Sequence, residues 1–523
     1  MYQNYTMDQV ILPLNLEVNI PETDLVRAVN GLVESIPEAV LYQVETKTGR
    51  PGYHPKLMLK VLLYAYTQNQ FSGRKIERIM TDSIRMMWLA HHEVVSYRTL
   101  NRFRVTPHTA ALLQECFIQF RSQLVQADLI DNQAIYIDGT KIEADANKFS
   151  FVWRKSVERY NEGLDQNSQA LYEELVQAEI LPRLKEEEDN EGLTVAQLTQ
   201  ATLHLTEAID EVTASIETTK EKEKSSELKK KRRTLKKFNR KIKEDFLSRK
   251  QNYVESLETF QNRNSYSKTD HDATFMRMKD DYMKNGQLKP GYNLQIATEN
   301  QFTLSYALYP NPTDTRTLPD FLATHKSWHG DLPTYIVADA GYGSESNYQH
   351  ILDDCDRVPL ITYGTYYKER KKKTKKNPFL VSNWLYIEEE DLFICPNRRP
   401  VSFKRYTVRT DIYGFKRDTK IYECENCHGC PLRSQCTKAK SDRNRQVHLN
   451  PTWEYFKSYT KEKLSDEKTS AIYKKRKVDV EPVFGFLKAH LGFTRFHVRG
   501  HEQVTNEMGL ALMAVNLRKL AVR

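Results

Sequence analysis

Ala134-Ile135-Tyr136-Ile137-Asp138-Gly139-Thr140-Lys141 is an apolar, β-branched run that breaks off at an aspartate followed by a glycine. Its composition is that of a buried strand. A carboxylate at the mouth of such a strand is poorly solvated and needs a cation, a donor or a metal beside it, which makes Asp138 a candidate site residue. The same grammar returns in Tyr335-Ile336-Val337-Ala338-Asp339-Ala340-Gly341-Tyr342-Gly343, where glycines again allow close backbone approach. A third acid, Glu481, stands in Val480-Glu481-Pro482-Val483-Phe484-Gly485-Phe486-Leu487-Lys488, where Pro482 suits the first turn of a helix.

Two like charges about 4 Å apart repel by roughly 4 kcal/mol at an effective dielectric near 20. Three acids gathered at one sheet edge therefore need divalent ions between them. Hard cations on oxygen ligands, Mg²⁺ or Mn²⁺, activate a water or hydroxyl and stabilise the leaving oxygen of an in-line phosphoryl displacement. That chemistry belongs to nucleases and strand-transfer enzymes.

Several ordered motifs carry a resemblance over most of the chain: Ile137-Asp138-Gly139-Thr140-Lys141, Thr269-Asp270-His271-Asp272-Ala273, Gly291-Tyr292-Asn293, Ala338-Asp339-Ala340-Gly341-Tyr342-Gly343 and Val480-Glu481-Pro482-Val483-Phe484-Gly485. From the Tyr53 region almost to Arg523 the sequence resembles the bacterial insertion-sequence transposases of the DDE type, built on a ribonuclease H-like core. The resemblance implies that Asp138, Asp339 and Glu481 are the metal-binding triad and that Lys488 with Arg476 or Lys477 holds DNA phosphates. Tyr473 and Arg476 keep the spacing common in such transposases, but four residues instead of three separate Arg476 from Glu481.

The fold class that follows is α/β. A ribonuclease H-like mixed sheet (126–363 and 471–523) is joined by an N-terminal helical domain (1–125), a coiled-coil-like helical hairpin insertion (150–265), and a basic linker with a cysteine-rich insertion (364–470). Length agrees with several domains, since 523 residues exceed the roughly 150 of an average one. With 78 Lys and Arg against 69 Asp and Glu the net charge is only +9, so the basic residues matter through clustering. No apolar run approaches the ~20 residues of a membrane span. The opening Met1-Tyr2-Gln3-Asn4-Tyr5 has neither the basic nor the apolar region of an export signal, so a cytoplasmic, nucleoid-associated protein is expected.

Residues 24–36 read as a helix, and from His54 onward the text is helical, with Pro55 at a first position and Ser72 and Ser96 as N-caps. The Ser96–Arg104 segment carries Arg98, Arg102 and Arg104, as a groove-facing helix does, and in a chain of this type it is expected to bind DNA. After Asp138 the stretch from Leu193 to Asn285 has no Gly or Pro, and its apolar positions predict two antiparallel arms broken around Lys220 to Ser226. The second arm bears Lys229-Lys230-Lys231-Arg232-Arg233, a phosphate contact or a solvated surface. Asp270, Asp272 and Asp314 lie near the strands of the sheet and read as ordinary turn aspartates that could line the site from behind. His497 and His501 are assigned no catalytic role.

Five of seven cysteines fall in one region: Cys395, Cys424, Cys427, Cys430 and Cys436. Thiolates at CxxC spacing suit structural, tetrahedral Zn²⁺ better than a disulfide framework. Cys395, Cys427, Cys430 and Cys436 are the favoured ligands, since Cys430-Pro431-Leu432-Arg433 resembles the family's knuckle, with Cys424 as substitute. The reading is a DNA transposase that hydrolyses the phosphodiesters at its element's ends and transfers the strand to target DNA, working as a homodimer or higher assembly. Its rivals are a metal-dependent nuclease without strand transfer and a non-catalytic DNA-binding descendant.

Overall fold

The computed structural model describes residues 20–41, 52–183, 192–278, 286–440 and 442–522, so the opening stretch read for an export signal lies outside it. The chain divides into two compact units, one of residues 1–143 with 292–523 and one of residues 144–291.

The first unit is built on β1 (Ala134–Glu143), whose Ile135 and Ile137 are fully buried. It continues through β2 (Leu288–Glu299, in this unit from Tyr292), β3 (Phe302–Tyr309), β4 (Tyr335–Ala338) and β5 (Val358–Ile361). Strand order is β3-β2-β1-β4-β5. β2 and β3 pair antiparallel across the short turn at Asn300, while β1, β4 and β5 run parallel. This is the mixed sheet of a ribonuclease H-like core.

Register decides what the sheet presents. Ala134 to Ile137 pair in step with Tyr335 to Ala338, so the next residues, Asp138 within β1 and Asp339 just past the end of β4, follow side by side; β1 itself runs on through Asp138 to Glu143 where the sequence predicts it to stop. Parallel strands lie about 4.8 Å apart, and residues in step project to the same face. The helix Glu467–Gly485 packs on β1 and β4, and the helix His501–Leu520 buries Met508 to Leu517 against β3 and the helix Pro55–Thr67.

The N-terminal helices, Leu25–Glu34 through Pro107–Gln126, belong to this unit. Pro55 opens the Pro55–Thr67 helix and Ser96 Oγ accepts from Thr99 N–H at 3.4 Å, both as read. Ser72 stands at the N-cap position without a side-chain cap bond, and His54, not read as a cap, accepts Lys56 N–H at 3.2 Å. Asn506 Nδ2 ties the C-terminal helix to the carbonyl of Thr106 at 3.0 Å. A second sheet follows the core, in the order β10-β9-β8-β7-β6, from β6 (Leu385–Ile387), β7 (Leu392–Ile394), β8 (Pro400–Thr410), β9 (Lys416–Cys424) and β10 (Gln446–Leu449).

The second unit holds three helical stretches where the sequence predicts two arms. Helix Arg154–Gln177 packs its Leu164, Leu171 and Leu175 with Leu198, Leu205 and Ile209 of helix Val195–Thr218 and with Leu235, Ile242 and Phe246 of the third stretch. That third stretch runs from Lys222 through a π-helical segment at Lys241–Leu247 to Phe260. The extra helix supplies an apolar stripe that two arms alone would leave in water. Lys229, Lys230, Lys231 and Arg233 remain exposed.

Candidate active site

β1 delivers Asp138 and β4 delivers Asp339 to one end of the sheet. Each turns one oxygen onto nearby backbone: Asp138 Oδ1 accepts Gly139 N–H in β1 at 2.7 Å, and Asp339 Oδ1 accepts Gly341 N–H in the loop after β4 at 2.7 Å. Asp314, from the turn after β3, joins them. Its Oδ1 accepts Asn293 Nδ2 at 2.8 Å and Gln295 Nε2 at 3.0 Å, both from β2. The two glycines show how tightly these groups converge. A Cβ on Gly139 would stand 2.9 Å from Asp314 Oδ1, and one on Gly341 would stand 2.9 Å from Asp339 Oδ1 and 3.8 Å from Asp314 Oδ2.

Beneath the three carboxylates Tyr342 is fully buried, its hydroxyl donating to Gln295 Oε1. Burial, reinforced by Asp314, Asp138 and Asp339, holds this phenol well above its usual range, so it stays a neutral donor. Thr315 Oγ1 donates to the Gly341 carbonyl at 2.7 Å and locks the two loops together.

The helix Glu467–Gly485 crosses this end of the sheet. Tyr473 OH lies 3.0 Å from Thr362 Oγ1 just past β5, and Arg476 Nη1 lies 3.6 Å from Asp138 Oδ2. Tyr473, Arg476 and Lys477 line a cleft of ≈ 280 Å³ with Tyr366 and Arg370. Arg476 is thus the cation beside Asp138, while Lys477 is exposed.

Glu481 is placed differently. Five residues past Arg476 it stands about 7.5 Å further along the helix and roughly 140° around it. It is exposed and makes no hydrogen bond or ion pair among the described residues. The structure brings Asp138 and Asp339 together and adds Asp314, while Glu481 is exposed on the neighbouring helix and in no hydrogen bond or ion pair with them. Among the described residues no three His, Cys, Asp or Glu side chains stand close enough to hold an ion. With Oδ1 of both Asp138 and Asp339 spent on backbone N–H groups, and that of Asp314 on two amides, the oxygens are not aimed at one point.

Arg98 and Arg102 are exposed, with Arg98 beside the Tyr97 ring at 5.8 Å. Arg104 corrects the sequence reading, because it is buried. Its guanidinium donates to Tyr66 OH at 3.1 Å, the Phe71 carbonyl at 2.8 Å and Asn101 Oδ1 at 3.2 Å, and lies 3.5 Å from Glu507, itself fully buried. Burial opposes its charge, but Tyr66 and Glu507 outweigh that. Glu507 also accepts His497 N–H at 2.8 Å, and His501 Nε2 lies 2.8 Å from the Leu308 carbonyl, so both histidines are tied into the structure. Lys488 sits half-buried on the segment that follows Glu481's helix.

Cys395, Cys424, Cys427, Cys430 and Cys436 all line one small cavity of ≈ 20 Å³, and none is in a disulfide. Two of their sulfurs accept backbone hydrogen bonds: Cys395 Sγ from Arg399 N–H at 3.3 Å and Cys427 Sγ from Arg445 N–H at 3.2 Å.

Asp314 is the residue that sequence reasoning undervalued. Its signal was the pair Asn293 and Gln295, polar side chains on a strand that is buried throughout this stretch, which need a partner inside the fold.

Two family models match parts of the chain, neither of which covers Asp138, Asp314 or Asp339. A model described as a transposase DDE domain matches residues 394–521, which include Glu481 but neither Asp138 nor Asp339. A second, described as a transposase domain of the DUF772 type, matches residues 14–106. No curated protein and no solved structure matches.

Proposed function

We propose that this chain, an insertion-sequence transposase of the DDE type, cuts the phosphodiesters at its element's ends with divalent metal ions and joins the freed 3′-hydroxyl to target DNA in the cytoplasm. The single observation that supports it is the register of β1 and β4 that sets Asp138 beside Asp339, with Asp314 against Gly139 and Gly341. These are hard oxygen donors in a water-accessible sheet end, which fits Mg²⁺ or Mn²⁺ and no softer metal. Once their carboxylates turn from the N–H groups and amides that now engage them, Asp138, Asp339 and Asp314 would hold the ions. Bound there, they would supply Lewis acidity for attack and departure of phosphate oxygens. Glu481 would complete the set only through a rotation or shift of its helix.

The chain's own groups do the rest. Gln295 and Asn293 fix the Asp314 carboxylate, and buried Tyr342 fixes Gln295. Arg476 offsets the charge of Asp138, and with Lys477, Lys488, Arg98 and Arg102 would take DNA phosphates. Two such sites acting on paired ends make a dimer or larger assembly on DNA. The cysteine cluster is an all-thiol donor set that would suit structural Zn²⁺ only if its sulfurs drew together; Cys395, Cys427, Cys430 and Cys436 would then hold it, with Cys424 in reserve. A zinc-release assay that finds no metal in the purified chain removes this part.

The test of the whole is a joining assay with pre-cut element-end DNA and Mg²⁺. Joined product that disappears in Asp138→Asn and Asp339→Asn supports the proposal. Cleavage without joined product favours the plain nuclease, and activity unchanged by both substitutions refutes the site.

A further inference from the structure

The second unit lies outside both family matches, and its helix Lys222–Arg240 sets one sign of charge along a whole face. Inward, the helix is fixed by buried Leu235, by Phe238 against the same apolar cluster, and by Asn239 Nδ2, 3.1 Å from Thr206 Oγ1 of the helix Val195–Thr218. At 100° per residue, the positions from Ser226 to Arg240 that lie within about 80° of the direction opposite Leu235 are Ser226, Thr234 and six cations: Lys229, Lys230, Arg233, Lys236, Lys237 and Arg240. All six are exposed, and over that length the face holds no acid.

Other helices of this unit pair their cations with acids four residues away, Arg154 with Glu158 at 3.7 Å and Arg249 with Asp245 at 3.2 Å. On this face only Arg240 has such a partner, Glu244 at 3.3 Å; Lys229, Lys230, Arg233, Lys236 and Lys237 form no ion pair among the described residues. Instead Lys229 and Arg233, Arg233 and Lys237, and Lys236 and Arg240 stand four residues apart, the spacing at which like charges repel. A merely solvated helix face alternates its signs and avoids that repulsion, whereas a face that meets a polyanion is relieved of it on binding.

A second copy of the chain offers one source of negative charge, since the helix Val195–Thr218 exposes Glu207, Asp210, Glu211 and Glu217 and contains no Lys or Arg. That contact would bury nothing apolar on the basic side, where the uncharged positions are Ser226 and Thr234, and exposed ion pairs alone hold proteins together weakly. Duplex DNA carries one charge for every ~1.7 Å of its axis, against a basic stripe about 16 Å long from Lys229 to Arg240, and so matches it far more densely.

We propose that the helix Lys222–Arg240 binds duplex DNA through its backbone, with Lys230, Arg233 and Lys237 at the centre of the contact. Phosphate contacts of this kind hold and position a duplex without reading its sequence. The proposal takes from the transposase reading only that DNA is the polyanion the chain meets, and it needs no metal ion.

Fluorescence anisotropy of the full chain with labelled duplexes of unrelated sequence, in buffer without divalent ions and over a range of salt, tests it. Lys230→Gln, Arg233→Gln and Lys237→Gln together are expected to flatten the slope of log K against log salt by about 2.7, alike on every duplex. The charge-conserving set Lys230→Arg, Arg233→Lys and Lys237→Arg is expected to keep the wild-type slope, with circular dichroism of both variants showing the helix intact. An unaltered slope in the glutamine variant overturns the proposal, as does a loss confined to one duplex or an equal loss in the charge-conserving variant. If the glutamine variant instead dissociates a DNA-free dimer by light scattering while the slope holds, the face meets a second copy and not DNA. The two readings fail separately: end joining with an unaltered slope removes the helix contact alone, and a flattened slope in a chain that joins no ends removes strand transfer alone.

Discussion

Replacing Arg104 by methionine separates a DNA contact from a structural strut. The substitution keeps the apolar stem and removes a guanidinium that bonds Tyr66, Phe71 and Asn101 and faces Glu507. Glu507 keeps its bonds from Tyr66 OH at 3.2 Å and His497 N–H at 2.8 Å and the His497 ring at 3.1 Å, yet loses the permanently charged guanidinium that faces it. Breaking a buried pair from one side costs about 3–5 kcal/mol. For a unit of about 375 residues that is roughly 4–6 °C in the unfolding midpoint. Differential scanning calorimetry of the full chain reads it, and adding Glu507→Gln should return part of the loss by removing the stranded charge. If Arg104→Met melts like the wild type but binds DNA far more weakly, the residue touches DNA and the burial argument is wrong. Arg102→Ala is the matched control, expected to leave the midpoint within about 1 °C.

Other substitutions address the rest of the chain. Glu299 has one oxygen bonded to Asp131 N–H at 2.7 Å and Asn132 N–H at 3.1 Å and the other buried without a partner, and burial pushes its carboxyl up to about 7. A carboxyl raised in the folded state is stabilising below its unfolded value near 4.5 and loses that contribution as pH rises through 7, so Glu299→Gln should raise stability at pH 8 by up to about 3 kcal/mol and change little at pH 4.5 in denaturant titrations. Gly139→Ala drives a methyl into Asp314 and Gln295, and should lower Mn²⁺ affinity at least tenfold by calorimetry; unchanged affinity would mean the ions bind elsewhere. Asp314→Asn keeps both amide bonds but removes the charge, and should weaken Mn²⁺ about 10- to 100-fold while leaving thermal stability nearly unchanged.

Both apolar runs were legible as buried strands because a β-branched apolar run has one common fate, but only β4 stops at its aspartate; β1 continues through Asp138 to Glu143. Their exact register was not, since pairing is set by contacts across 200 residues of chain. Asp314 escaped notice because a turn aspartate is locally ordinary, and only the folding of Asn293 and Gln295 onto it makes it special. Arg104 was within reach of sequence reasoning: four residues after buried Leu100, it shares that residue's face, whereas Arg98 and Arg102 share the opposite one. Glu481 shows the limit of motif spacing. One extra residue after Arg476 turns a side chain by roughly 100°, and the helix buries Val480 and Val483 while Glu481 faces out. The second unit's first helix, Arg154–Gln177, was hidden because its apolar stripe, Leu164, Leu171 and Leu175, lies in a charged stretch ahead of the long run without Gly or Pro.

The most direct test is a crystal of the full chain soaked in Mn²⁺, with anomalous diffraction collected at the end of β1 and β4. The account requires a peak within about 2.0–2.3 Å of oxygens from both Asp138 and Asp339, with Asp314 as a third contact or one water away. Manganese bound at other carboxylates, with Asp138 still on Arg476 and Asp339 still on its own loop, would contradict it.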